Sequence, residues 1–165
     1  MSVAASWSRS RRKMAGVSVL ASGRVGSLTG EVAPVLLAVD GSTFRSTSEL
    51  HEELFGSASL IVQCNNVQEF SACADVLEGQ LTASIWADSA ELQSMEALLW
   101  ALEQKVGRLV LNDVPTGVEV NTAMVHGGPF PATTDSRFPS VGTRALDRFV
   151  RTVARQGFGS IPPVS

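Results

Sequence analysis

Short apolar runs alternate with apolar stripes at helical spacing in the middle of the chain. These patterns predict strands over residues 59–63, 82–86 and 108–112, and helices over 66–78 and 89–106. Asn66 and Asp88 stand where the two helices begin, each with a glutamate three residues later, which is typical of a capping box. Because one helix separates each pair of strands, the strands should run parallel through right-handed crossovers. We therefore expect an α/β fold, a parallel open sheet with flanking helices.

The residues before this central unit predict three further elements. β-Branched and apolar runs indicate strands at 17–21 and 34–39, the second closed by Asp40-Gly41. An acidic stretch over 48–55 favours a short helix that stops at Gly56.

The composition of the chain changes after residue 112, where the last of these predicted strands ends. Residues 113–140 are rich in glycine and proline, so we expect a long irregular segment, a kind that is usually functional or disordered. Apolar residues then recur at helical spacing opposite a face of arginines, which predicts an amphipathic ending, helical at least to Phe149.

Composition narrows the class of protein. The 165 residues are 44% hydrophobic with a net charge of −3, which argues against disorder, nucleic-acid binding and a polybasic membrane surface. No apolar run is long enough to span a membrane. Two cysteines make no disulfide framework, so a reducing compartment, the cytoplasm, is expected. Residues 1–13 hold four basic residues and no acid, and we interpret them as a start outside the domain rather than a targeting peptide.

Residue chemistry alone offers few catalytic candidates. The chain contains no glycine-rich nucleotide fingerprint and no zinc-ligand spacing, so no metal site is expected. Cys64 ends an apolar strand and Cys73 lies on the buried stripe of a helix, which favours two inert core thiols. His51, on an acidic helix, is expected at the solvated surface, and His126 is isolated in sequence.

Two segments leave alternatives open. Glu53 can lie on a solvated helix, or it can point into a cleft and hold a pair of ribose hydroxyls while Phe55 packs on a flat heterocycle. The loop over 126–136 has two adjacent glycines, a phenylalanine between prolines and several polar side chains. This loop can line a substrate site or simply cover the domain.

Several motifs together resemble the NAD(P)-dependent aldehyde dehydrogenases. The run ELFG at 53–56 resembles the family's E-x-F-G-P motif, with Ser57 in place of proline. The run GRLVLN at 107–112 resembles the strand that ends in V-N. The run GPF at 128–130 resembles the start of the family's P-F-G-G loop, although Pro-Ala follows it here. The longer match over 115–143 resembles the branch that oxidises 2-oxoglutarate semialdehyde to 2-oxoglutarate.

The resemblance implies roles for four residues. Glu53 would bind the ribose on the nicotinamide side, and Phe55 would pack near the nicotinamide ring. Phe130 would line the aldehyde tunnel, and Asn112 would support the loop that carries it. The family's nucleophilic cysteine and its base glutamate belong upstream of the part represented here, so no catalytic residue is expected in this chain. NAD or NADP would serve the parent enzyme, without tight binding to this chain alone.

The resemblance also implies a domain organisation. Residues 1–16 would be a non-domain or aberrant start, 17–150 a partial catalytic domain, and 151–165 a terminal oligomerisation segment and tail. Two functions stay open. The chain is either the carboxyl-terminal fragment of an enzyme on small aldehydes, inactive alone, or a non-catalytic remnant or interaction module that pairs with a full-length subunit. Exposed strands at 17–21 and 34–39 and an apolar segment at 149–158 would favour homo-oligomers or self-association, without nucleic acid or membrane.

Overall fold

A computed structural model describes residues 10–26, 31–53, 56–157 and 159. Strands and helices alternate along most of this range. In chain order they are β1 (Ser18–Ser22), β2 (Val35–Asp40), α1 (Gly41–Ser46), β3 (Ala58–Gln63), α2 (Val67–Asp75), β4 (Gln80–Ile85), α3 (Ser89–Ser94), α4 (Glu96–Glu103) and β5 (Val106–Leu111). Short 3-10 helices span Ser48–Leu50 and Thr143–Phe149.

Among the described residues, two of the three strand pairs are parallel, which confirms the predicted α/β class, but the strands divide into two sheets. One sheet has the order β1-β2-β3, with β1 antiparallel and β3 parallel to β2. The other pairs β4 with β5 in parallel, with Thr82 opposite Arg108. Within the described residues β3 and β4 are not hydrogen-bonded to each other, so the expected single sheet through strands 59–63, 82–86 and 108–112 is wrong.

The first sheet also corrects one of the predicted exposed strands. β1 lies at the edge and is exposed at every residue, as expected. β2 lies between two strands, and most of its side chains are buried, so the run at 34–39 is not an exposed edge. Its continuous apolar sequence is that of a central strand covered on both faces.

A compact apolar cluster joins the first sheet to α1 and α2. It contains Val39, Phe44, Leu50 and Cys73, each at most 5% exposed. Met14 also packs against this cluster, and the Arg11 guanidinium is buried and donates to the Glu52 carbonyl at 3.0 Å. Part of the predicted start at 1–16 therefore packs on the domain; where the domain boundary falls stays a prediction.

Both predicted helix caps of the central unit are present. The Asn66 carboxamide accepts from the Glu69 amide at 2.8 Å, and Asp88 and Glu91 form a reciprocal capping box. The helix predicted over 89–106 is nevertheless broken at Met95 into α3 and α4. The Ser94 hydroxyl donates to the Glu91 carbonyl at 2.7 Å, the oxygen that a continuous helix would offer to the Met95 amide.

The segment between β2 and β3 differs most from its predicted form. Asp40 does not only close the strand; its carboxylate caps α1 by accepting from the Thr43 amide at 2.8 Å. The expected helix over 48–55 is reduced to one 3-10 turn, and residues 54–55 lie outside the described residues. His51 is half-buried rather than solvated. Its Nε2 donates to the Phe44 carbonyl at 2.7 Å and its ring stacks at a tilt on Phe44.

After β5 the chain is irregular to residue 142, as predicted. The amphipathic ending is a 3-10 helix rather than an α-helix, and its apolar side chains are exposed, namely Leu146, Phe149, Val150 and Val153. Among the residues that the structure describes, none of the helices is long and apolar enough to cross a membrane.

Candidate functional site

The carboxyl ends of β4 and β5 are tied together by one side chain. Asn112 follows β5 with φ at +52°, a left-handed conformation that asparagine tolerates better than most residues. Its carboxamide oxygen accepts from the Ala87 amide at 2.9 Å, and its Nδ2 donates to the Ala87 carbonyl at 2.9 Å. The Asn112 amide also donates to the Ile85 carbonyl at 2.7 Å, which extends the ladder between the strands. The support that Asn112 is predicted to give to the loop that carries Phe130 stays a prediction.

The loop at 126–132, which carries Phe130, lies at the opposite end of this sheet, where β4 and β5 begin. A Cβ built on Gly107 would clash with the Gly127 carbonyl, and one built on Gly128 would clash with the Gln80 carbonyl. A Cβ on Gly79 would meet the carbonyl groups of Pro129 and Phe130. The loop backbone therefore lies directly on the strand backbone, which is possible because glycine has no Cβ.

Internal hydrogen bonds fix the shape of this loop. The Ala132 amide donates to the Pro129 carbonyl at 2.9 Å, and the Thr133 hydroxyl donates to the Gly128 carbonyl at 2.6 Å. Phe130 stands at the tip with 79% of its surface exposed. The loop thus presents an aromatic ring to solvent from a tightly held backbone.

A cavity of about 500 Å³ lies beside the loop. It brings Glu53 together with the beginning of β4 and residues on either side of Phe130. Its lining comprises Glu53, Gln80, Leu81, Thr82, Arg108, Pro115, His126, Pro131 and Ala132. The structure therefore places the predicted ribose-binding carboxylate and the predicted substrate-lining loop around one space, although they are far apart in sequence.

The four predicted site residues have different positions relative to this cavity. Glu53 lines it, is exposed, and has no hydrogen bond or ion pair with another described residue. Phe130 is adjacent to the lining residue Pro131. Asn112 is at the far end of β5 from the loop. Phe55 lies outside the described residues.

Arg108 is a lining residue that sequence reasoning did not single out. Its guanidinium donates to the Gly117 carbonyl at 2.6 Å and to the Pro115 carbonyl at 3.1 Å, and thereby holds the chain just after β5. Its Nε is buried without a hydrogen-bond partner. The signal available in the sequence was a lone arginine inside an otherwise apolar strand.

His126 is the second lining residue with chemistry of its own. The Ser140 hydroxyl donates to the His126 carbonyl and stands 2.9 Å from its Nδ1. Because that hydroxyl has a single hydrogen, Nδ1 must supply the hydrogen of the second bond, which leaves Nε2 of the neutral ring as an acceptor. His126, which is isolated in sequence from other candidate residues, therefore contacts Ser140 in the structure.

The two cysteines lie away from this cavity. Cys73 is buried, Cys64 is half-buried, and both are free thiols. Burial, together with its hydrogen bond to the Cys64 sulfur, raises the pKa of Cys73 to about 11, which disfavours its thiolate. No group of three or more potential ligands in the described part of the chain could hold a metal ion.

Two curated proteins match the chain over most of its length. It is 40% identical over 159 residues to alpha-ketoglutaric semialdehyde dehydrogenase 2 of Azospirillum brasilense, a match that covers 94% of this chain and 30% of that protein. It is 42% identical over 147 residues to alpha-ketoglutaric semialdehyde dehydrogenase of Acinetobacter baylyi, covering 88% of this chain and 28% of that protein. The chain therefore spans less than a third of the length of these relatives.

Solved structures agree on the fold. Delta-pyrroline-5-carboxylate dehydrogenase from Mycobacterium tuberculosis matches with a TM-score of 0.64 and 22% identity over 88% of this chain and 26% of that chain. Its structure bound with NAD matches with a TM-score of 0.61 and 22% identity over 88% of this chain and 25% of that chain. No protein-family model matches the chain.

Proposed function

We propose that this chain is a partial region of an aldehyde dehydrogenase, an oxidoreductase that converts a semialdehyde, in particular 2-oxoglutarate semialdehyde, to the acid with NAD(P)⁺. The observation that carries the proposal is the 40% identity over 94% of the chain to a relative named for that semialdehyde. The match includes the long irregular segment after β5, where a fold alone imposes little on the sequence.

Glu53 is the residue through which this chain would hold the cofactor. Its exposed carboxylate lines the cavity and is not engaged by other described residues, so it can accept hydrogen bonds from two vicinal ribose hydroxyls. Bound NAD(P)⁺ supplies the hydride acceptor. Phe55, two residues further on, would pack near the nicotinamide ring. The exposed carboxylate fits such a group.

The loop at 126–132 would form the substrate side. Phe130 projects from a backbone held against β4 and β5, and a rigidly held aromatic ring suits the wall of an aldehyde tunnel. Arg108 and His126 add polar groups to the same cavity. Asn112 would act at a distance, by fixing the relative position of the two strands on which the loop rests.

The isolated chain would not turn over. Aldehyde oxidation through a covalent intermediate requires an activated thiolate beside the hydride acceptor. Cys64 and Cys73 lie outside the cavity lining, and the pKa of Cys73 is raised. The nucleophile, the general base and most of the cofactor site would come from the upstream part of the enzyme.

A chimera tests this function. Residues 17–158 replace the corresponding region of the Azospirillum relative, and oxidation of 2-oxoglutarate semialdehyde is followed by the absorbance of reduced cofactor. We expect a folded chimera that turns over, and a Glu53→Gln variant with KM for the cofactor raised about tenfold or more, because a hydrogen bond to a charged group is lost. Glu103→Gln, on the exposed side of α4, is the matched control and should change nothing.

Two outcomes contradict the proposal. A folded chimera that fails on this semialdehyde but oxidises an unrelated aldehyde removes the proposed substrate. Equal cofactor KM values for the Glu53→Gln and Glu103→Gln chimeras remove the proposed role of Glu53. The isolated chain, assayed alongside with both cofactors, should give no signal.

A non-catalytic interaction module is the second candidate function. It is favoured by the exposed apolar side chains at the end of the described chain, among them Phe149 at 79% and Leu146 at 68% exposure. Such a patch is typical of a surface that pairs with another subunit. Co-purification of the tagged chain with a full-length relative, lost in a Leu146→Ser/Phe149→Ser double variant, would support it. A cytoplasmic location stays a prediction.

A further inference from the structure

The two free thiols face each other across the turn between β3 and α2. Cys64 follows the last residue of β3, and Cys73 lies in the last turns of α2. Their sulfur atoms are 3.7 Å apart. We propose that Cys64 and Cys73 form a redox pair, which a small-molecule disulfide such as oxidised glutathione converts into an intramolecular disulfide.

The turn between the cysteines holds them in position. The Glu69 carboxylate accepts from the Asn65 amide at 2.7 Å and from its Nδ2 at 2.8 Å, while Asn66 caps α2. On the other side, the Cys73 thiol is 3.6 Å from the Gly41 carbonyl, at the first residue of α1. The two sulfurs are in contact at 3.7 Å and must approach to about 2.05 Å to form a disulfide bond. The segment that carries them is held by hydrogen bonds at both ends.

Different burial assigns different roles to the two thiols. Cys73 is only 5% exposed, and burial raises its pKa, so it is a poor first nucleophile. Cys64 is half-buried and offers the reagent access. Cys64 is therefore the attacking thiol and Cys73 the resolving thiol.

The chemistry is two thiol–disulfide exchanges. The Cys64 thiolate attacks one sulfur of oxidised glutathione, forms a mixed disulfide and releases one glutathione thiolate. Cys73, on losing its proton to solvent, attacks the Cys64 sulfur and displaces the second glutathione. Two protein thiols are oxidised to one disulfide, and one glutathione disulfide is reduced to two thiols. Cys73 does not require a low pKa in the free chain, because its neighbour delivers the electrophilic sulfur.

The test uses the full chain. The chain is reduced, freed of reductant, incubated with oxidised glutathione, quenched with acid and alkylated. Mass spectrometry then measures the mass of the intact chain and of its proteolytic peptides. We expect the wild-type chain to lose both alkylation sites without retaining glutathione, with one peptide linking Cys64 to Cys73. Cys73→Ser should keep a single glutathione on Cys64. Cys64→Ser should leave Cys73 reduced until the chain is unfolded.

A comparison in urea separates the folded geometry from mere closeness in sequence. At equilibrium with the same glutathione mixture, the folded chain should favour the disulfide at least about tenfold more than the unfolded chain, because the fold raises the effective concentration of the second thiol. Circular dichroism checks that each variant is folded, and Cys73→Ala replaces the serine variant if that one is not. A stable glutathione adduct on wild-type Cys64, a disulfide between chains, or no preference over urea overturns the proposal.

Discussion

A methyl group at Gly107 should displace the loop that borders the cavity. The built Cβ lies 2.5 Å from the Gly127 carbonyl carbon and 3.1 Å from the Gly128 amide nitrogen, and it clashes with the Gly127 oxygen. Carbon atoms in contact prefer about 3.5–4.0 Å, so the loop backbone must retreat by roughly 1 Å. No flexible side chain is available to yield, because every one of these atoms is backbone.

The magnitude follows from two opposing effects. Overpacking of this kind costs about 1–3 kcal/mol, while replacing a glycine returns about 0.4–1 kcal/mol through the unfolded chain. We expect Gly107→Ala to lower the free energy of unfolding by roughly 1–2 kcal/mol, and the midpoint of thermal unfolding by about 2–8 °C for a chain of this size. Gly117→Ala is the matched control, since a Cβ there meets nothing within 4 Å.

Urea and thermal unfolding followed by far-ultraviolet circular dichroism measure both variants. Hydrogen exchange adds the local readout: amides at 126–133 should exchange faster in Gly107→Ala, and those of the first sheet should not change. The reasoning fails if Gly107→Ala is as stable as the wild type, or if Gly117→Ala loses as much. It also fails if exchange rises equally over the whole chain, because the loop would then not rest on Gly107.

Substitutions at two further positions test individual contacts. Asn112→Ala should lower the free energy of unfolding by about 1–3 kcal/mol, because the hydrogen bonds to Ala87 are lost, and by about 1 kcal/mol more, because alanine disfavours the left-handed backbone. Asn112→Gly should lose only the contribution of the hydrogen bonds. Urea unfolding measures both variants. Hydrogen bonds from Arg137 lower the pKa of Asp135 from its ordinary 3.8 to about 2. Because the carboxyl pKa is lower in the folded chain, the ionised Asp135 stabilises the folded state at pH values above 3.8, and this stabilisation is lost as the pH falls through about 2. In thermal melts, the difference in stability between wild type and Asp135→Asn should therefore shrink as the pH is lowered from 3.8 to about 2.

Local signals predicted local structure well. The caps at Asn66 and Asp88 were predicted because each needs only an oxygen and a glutamate at fixed spacing. The same logic extends to Asp40, whose carboxylate caps α1, but this helix was missed. Only Phe44 among its apolar residues is buried, so a six-residue helix leaves no apolar stripe to detect.

Contacts between distant segments could not be predicted from the sequence pattern. His51 was expected in solvent because its neighbours are acidic, yet its ring packs on Phe44. The separation of β3 from β4 is equally invisible, since an apolar run predicts a strand and not its neighbour. The position of Glu53 beside the loop depends on such contacts. The role proposed for Glu53 came from the resemblance to a family and not from the spacing of residues.

The glycines beneath the loop have a role that the sequence pattern did not predict. The pattern places Gly79 and Gly107 directly after helices, but α2 ends at Asp75, α4 ends at Glu103, and Gly107 lies within β5. In the structure the two residues admit the backbone of the loop at 127–130. The glycines beneath the loop should therefore tolerate substitution less well than the side chains that follow Phe130.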